Sequence, residues 1–168
     1  MKKSFLKPLL VFLLAPAILL AFTAKPDKAN FSGEWKLNEG KSDLGQFGQF
    51  ATRTIKTDQK AESILISRTA PGFDGGDATT SETLPFDGTQ VESTVFGTSK
   101  RKASAKWSDD GQTLSIPYIL SLDFNGEATE IKGTETWTLT DNGKTLVVNS
   151  TSSSSFGDAT TKAVYEKQ

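Results

Sequence analysis

Neither histidine nor cysteine occurs among the 168 residues. A Ser-His-Asp triad and a Cys-His pair therefore cannot be built, and an ordinary zinc site lacks its ligands. Carboxylate, lysine, tyrosine and serine chemistry remains. Glu127, Glu130 and Glu135 lie on neighbouring turns and strands, where paired acids could do general acid–base work. The preferred reading of these three is charge on a solvated sheet face or rim. The passage Pro71-Gly72-Phe73-Asp74-Gly75-Gly76-Asp77 sets two carboxylates in a glycine loop, and calcium favours such hard oxygen ligands. The spacing is not that of an EF-hand, and a flexible turn between strands is the preferred alternative. No catalytic residue, metal ligand or cofactor is assigned, and the chain is read as a non-enzyme.

Binding chemistry is better supplied. Leu114, Ile116, Tyr118, Leu120 and Leu122 recur at every second position, which gives a strand one apolar face able to line a ligand cavity. A filled core would use the same residues. The run Ser150 to Ser155, with Thr160 and Thr161 nearby, offers small hydroxyls that leave space and hydrogen-bond adaptably. An edge strand with solvent on both faces fits that composition equally well. Phe47, Phe50 and Phe73 sit in glycine-containing loops, either covering a barrel mouth or packing on its rim.

These residues must be positioned by strands. From about Phe31 onward, β-branched and aromatic residues come in short runs divided by Gly, Asp and Asn, with no useful helical period. Strands are expected near 31–38, 51–58, 62–69, 78–86, 89–96, 100–107, 112–122, 127–140, 144–155 and 158–167. Pro117 lacks an amide donor and should sit at a bulge or a break in the ladder. Asp87-Gly88, Asp110-Gly111, Asn125-Gly126 and Asn142-Gly143 each read as hairpin turns, so the strands should form a meander. Residues 39–50 are irregular, with Gly40, Gly45 and Gly48 opposing a long helix. A meander of eight to ten strands removes its exposed edges by closing, so an all-β, antiparallel up-and-down barrel is expected, with a two-sheet β-sandwich as the alternative.

The ends of the chain bear on location. Lys2, Lys3 and Lys7 precede an apolar run from Leu9 to Phe22, and Ala24 could precede a cut, so residues 1–24 read as a signal peptide. Pro16 interrupts that run, which is too short for a stable membrane span. Residues 25–30 read as a linker and 31–168 as one barrel domain. An exported protein, periplasmic or secreted, is expected, without a lipobox cysteine. Removing residues 1–24 leaves 16 basic and 20 acidic residues, a formal charge of −4. Lys100-Arg101-Lys102 is the densest basic run and reads as a solvated strand end, so a nucleic-acid partner is not expected.

The first strand, Phe31-Ser-Gly33-Glu-Trp35-Lys-Leu37, resembles the Gly-x-Trp opening of the calycin superfamily, the lipocalins and fatty-acid-binding proteins. The passage Gly33 to Ser42 and the hairpin Glu135 to Leu146 are similar to those of bacterial lipocalin-like proteins. The resemblance implies that Gly33 and Trp35 close the barrel floor. Lipocalins usually pack a last-strand Arg over that Trp, whereas this last strand offers Lys162 and Lys167. Val164-Tyr165-Glu166-Lys167 looks like the closing strand of fatty-acid-binding proteins, which hold a carboxylate with Arg-x-Tyr. Ala163 stands at the Arg position here, so only Tyr165 is carried over, as a polar ligand contact. The family's helical lid is not expected. Two functional readings follow: a barrel holding a small, partly hydrophobic ligand, or a filled barrel displaying loops to an envelope protein of unknown identity.

Overall fold

The computed structural model describes residues 27–72, 75–95, 97–124 and 127–168. The expected signal peptide, Phe73, Asp74 and the Asn125-Gly126 turn lie outside the described residues, as do the side chains of Phe47 and Glu127. Among the described residues eleven strands follow in chain order: β1 Gly33–Leu37, β2 Thr54–Gln59, β3 Ser63–Pro71, β4 Asp77–Pro85, β5 Val91–Thr94, β6 Lys100–Ala103, β7 Lys106–Trp107, β8 Thr113–Phe124, β9 Glu127–Thr140, β10 Thr145–Ser154 and β11 Gly157–Lys167. They pair antiparallel in the order β4-β3-β2-β1-β11-β10-β9-β8-β6-β5, with β7 also on β8. The first and last strands pair, Trp35 opposite Lys167, and the sheet curls into a nearly closed barrel. Each of the ten expected strands is present, and 100–107 is divided into β6 and β7. The break falls opposite Pro117. Ser104 N–H donates to the Pro117 carbonyl at 3.2 Å, but Pro117 has no N–H to return the bond.

One expected hairpin does not form. Asp87-Gly88 lies between β4 and β5, yet these strands are the two ends of the sheet and share no ladder. The Asp87 carboxylate instead accepts the Thr89 N–H at 2.8 Å, making a local turn within a longer connection. Residues 39–50 form two short 3-10 turns, Glu39–Lys41 and Gly45–Phe50, with no lid of paired helices.

Side-chain alternation divides the interior into two halves. At one end Phe31, Trp35, Ile64, Ile66, Leu84, Leu114, Ile116, Trp137 and Leu146 are fully buried and fill the barrel. Trp35 Nε1 donates to the Phe31 carbonyl at 3.0 Å, so the indole keeps its hydrogen bond inside an apolar floor. Residues 27–30, expected as a linker, are tied to this end. Ala29 N–H donates to Gly111 O at 2.9 Å, and the Lys28 ammonium lies 5.1 Å from the Phe86 ring. Of the two last-strand lysines, Lys167 covers the floor Trp, its ammonium 5.1 Å from the Trp35 ring centroid. Gly33 makes room for it: φ is +146°, and a Cβ there would stand 2.8 Å from Lys167 Cε.

This geometry sets the cost of changing the floor. Gly33→Ala is expected to lower unfolding stability by about 1–2 kcal/mol, because the strained φ and the Lys167 stem both oppose a methyl group. Lys167→Ala is expected to cost about 0.5–1 kcal/mol. In the double variant part of the Gly33→Ala loss should disappear, since the stem is gone. Strictly additive denaturant midpoints would disprove the contact.

Candidate ligand cavity

Above the filled floor the barrel is open. Its cavity measures about 410 Å³. The wall strands carry small inward residues there: Ser150 and Ser152 on β10, and Ala159, Thr161 and Ala163 on β11 all face the space. Inward serines, threonines and alanines are what make the void, because nothing on those strands reaches across. Tyr118 and Leu120 on β8 and Ile131 on β9 supply apolar wall. Phe50, from the second 3-10 turn, is 44% exposed and lines the mouth.

The base of the cavity is ionic. Arg68 on β3, Glu82 on β4, Arg101 on β6 and Glu135 on β9 all point inward, with side chains 3–15% exposed. Arg68 Nη1 donates to Glu82 Oε1, and its Nη2 donates to Glu135 Oε2 at 3.1 Å. Arg101 Nε donates to Glu82 Oε1 at 3.3 Å, and its Nη2 to Glu135 Oε1 at 3.0 Å. Two cations and two anions thus form a closed ring spanning four strands. The ring is seated on aromatics. Trp137 Nε1 donates to Glu135 Oε2 at 2.9 Å, the Arg68 guanidinium lies 5.7 Å from the Trp137 ring, and that of Arg101 lies 4.2 Å from the Tyr118 ring. Tyr118 in turn lies over Gly133, where a Cβ would meet its ring at 2.6 Å and the Thr151 carbonyl at 2.7 Å.

The electrostatics follow from that seating. Burial alone would raise the Glu135 pKa, but Arg68, Arg101 and the Trp137 N–H outweigh it and push it from 4.5 down to about 2. Burial would equally strip the proton from Arg68, and Glu135 and Glu82 hold it on, raising its pKa. Tyr165 is pushed up, first by burial and then by the Glu135 charge, so it stays a neutral phenol. At neutral pH Glu135 is a fixed carboxylate, ill suited to giving or taking protons.

The sequence-derived site residues separate into groups. Tyr118, Leu120 and Tyr165 line the cavity. Leu114 and Ile116 do not: they are fully buried in the packed floor, two alternation steps and one, respectively, along β8 from Tyr118. Leu122, on the same strand, is also absent from the cavity wall. Tyr165 spends its O–H on the Thr52 carbonyl at 3.1 Å, leaving only acceptor capacity toward the cavity. Glu135 and Arg101, read as solvated from sequence, are inside the barrel. Asp77 of the glycine loop is ion-paired with Arg53 at 3.2 Å. Among the described residues no group of three His, Cys, Asp or Glu is placed to hold a metal ion, and no helix is long and apolar enough to cross a membrane.

No protein-family profile matches the chain, and no curated protein matches it in sequence. Among solved structures it is similar to the zebrafish ileal bile acid-binding protein complexed with cholic acid. The TM-score is 0.51 at 17% identity, covering 82% of this chain and 98% of that one. That likeness shows the fold, a nearly closed antiparallel β-barrel.

Removing one member of the ring leaves one buried charge uncompensated. Glu135→Gln is expected to destabilise by about 3–5 kcal/mol at pH 7. Because the folded pKa is depressed, the wild-type advantage is complete above pH 4.5 and lost as pH falls toward 2. Denaturant unfolding of both proteins at pH 7 and pH 3 checks this, and the gap between them must narrow in acid. A gap that does not change with pH would contradict the ring's role.

Proposed function

We propose that this barrel is an exported carrier or sensor that holds a small, partly hydrophobic molecule in its interior. The observation that carries the reading is the half-filled barrel: a packed aromatic floor beneath a cavity of about 410 Å³. Ligand pockets usually span about 300–1,000 Å³ and combine apolar walls with a few placed polar groups. This interior has both kinds of lining. Leu120, Ile131 and Val148 offer apolar contact, and Ser150, Ser152 and Thr161 offer hydroxyls. The solved neighbour of similar fold, a bile acid-binding protein complexed with cholic acid, supports the same use of the fold. Export rests on residues 1–24, with release after Ala24 and a mature chain starting at Lys25.

Uptake of the neutral apolar dye N-phenylnaphthylamine tests the reading directly. Wild-type protein is expected to bind it with enhanced fluorescence. Ser152→Phe places a ring in the void and should weaken binding at least about tenfold, with stability changed by less than about 1 kcal/mol. Equal uptake by both proteins, or none by either, would rule out the interior site and favour a barrel that displays loops to a protein partner. Intact mass of the protein recovered from the periplasm or medium checks export, and a mass that retains residues 1–24 would refute it.

A further inference from the structure

We infer that the interior selects an electrically neutral, hydroxyl-bearing amphiphile and discriminates against carboxylates, which rests on the interior-binding reading above. The warrant is the charge balance of the cavity wall. Among the described residues of that wall the charged ones are Arg68, Arg101, Glu82 and Glu135, and they sum to zero. Neither guanidinium is spare. Each spans both carboxylates, through Arg68 Nη1 and Nη2 and through Arg101 Nε and Nη2. Their faces are also covered, Arg68 against the Trp137 ring and Arg101 against the Tyr118 ring.

An entering carboxylate would surrender its water and find each ring guanidinium already paired with two carboxylates. Displacing Glu82 or Glu135 would leave that acid buried beside it without its partner, and the remaining guanidinium N–H groups belong to cations whose charge is already balanced. A third anion at the base of the cavity would also be repelled by the two present. A hydroxyl meets neither obstacle. It can donate to an outer lone pair of a ring carboxylate, or exchange bonds with Ser150, Ser152 and Thr161, which line the wall just above. Position 163 reinforces the point: Ala163 lines the cavity where an arginine would add positive charge, and Tyr165 already donates its O–H to the Thr52 carbonyl. The geometry therefore leaves hydroxyl recognition near the base and an apolar tail toward Phe50 at the mouth.

The test compares two ligands with one tail: dodecanoate and its neutral glycerol monoester, each displacing N-phenylnaphthylamine from the full mature protein at pH 7.5. The monoester should bind at least about tenfold more tightly, the factor expected when a buried charged group lacks a partner. Glu82→Gln and Glu135→Gln each leave one positive charge uncompensated and should shift the preference toward dodecanoate by about tenfold or more. If one of these variants does not fold, the other carries the comparison, and the wild-type ratio stands by itself. Dodecanoate binding wild type as tightly as the monoester would overturn the selectivity while leaving interior binding intact. Failure of both ligands and of the dye would overturn the interior site and this inference together.

Discussion

Four charges taken out of water in the middle of a barrel can persist only if they satisfy one another, and much of this structure follows from that requirement. Arg68, Glu82, Arg101 and Glu135 come from β3, β4, β6 and β9, so their mutual hydrogen bonds fix the relative heights of strands far apart in the sheet. The ring also does what backbone bonds fail to do at the seam. β4 and β5 share no ladder, yet Glu82 on β4 accepts from Arg101 on β6, joining the two sides of the gap through the interior. Such a ring is costly to desolvate, and an apolar replacement of similar shape could be as stable. Its persistence is better explained by the polar surface it gives the cavity base.

Below the ring the barrel behaves as an ordinary core. Phe31 stacks on Trp107 at 5.6 Å and meets Trp137 edge-on at 5.9 Å, so three aromatics from three segments lock together. Trp137 is the link between the halves: its ring is part of the floor, and its N–H belongs to the ionic layer. The floor therefore orients Glu135, and Glu135 determines where both guanidiniums go.

The architecture was legible in the sequence because a barrel strand announces itself through period two and its turns through Gly, Asp and Asn. The break at Pro117 was legible for the same local reason, a missing N–H. The unpaired seam at Asp87-Gly88 was not, since a turn dipeptide reports the local bend and not whether the flanking strands go on to pair. The ring was missed because charge was read as exposure. Its signal was present: Arg68 shares the inward register of Ile64 and Ile66, Glu82 that of Leu84, Arg101 that of Ala103, and Glu135 that of Trp137. Four charged residues of balancing sign, each on the apolar phase of its strand, specify an internal network. Leu114 and Ile116 erred in the opposite direction, because alternation identifies the inner face of β8 but not the height at which the interior changes from filled to open.

That height is set by residue volume. Toward the floor, inward positions carry Trp35, Trp137, Leu146 and Ile116; toward the mouth, β10 and β11 carry Ser150, Ser152, Ala159 and Thr161 at the same phase. A barrel of fixed circumference cannot contract around small side chains, because its radius is determined by strand number and stagger along its whole length. Small residues at one end therefore leave space that neighbours cannot fill, and hydroxyls keep that space tolerable to water until something displaces it. The ring closes the space from below with polar groups already paired to each other. An apolar tail can then replace the water nearer the mouth without breaking any of the ring's bonds, and the ligand's polar end is left to choose between hydroxyls and a closed circuit of charge.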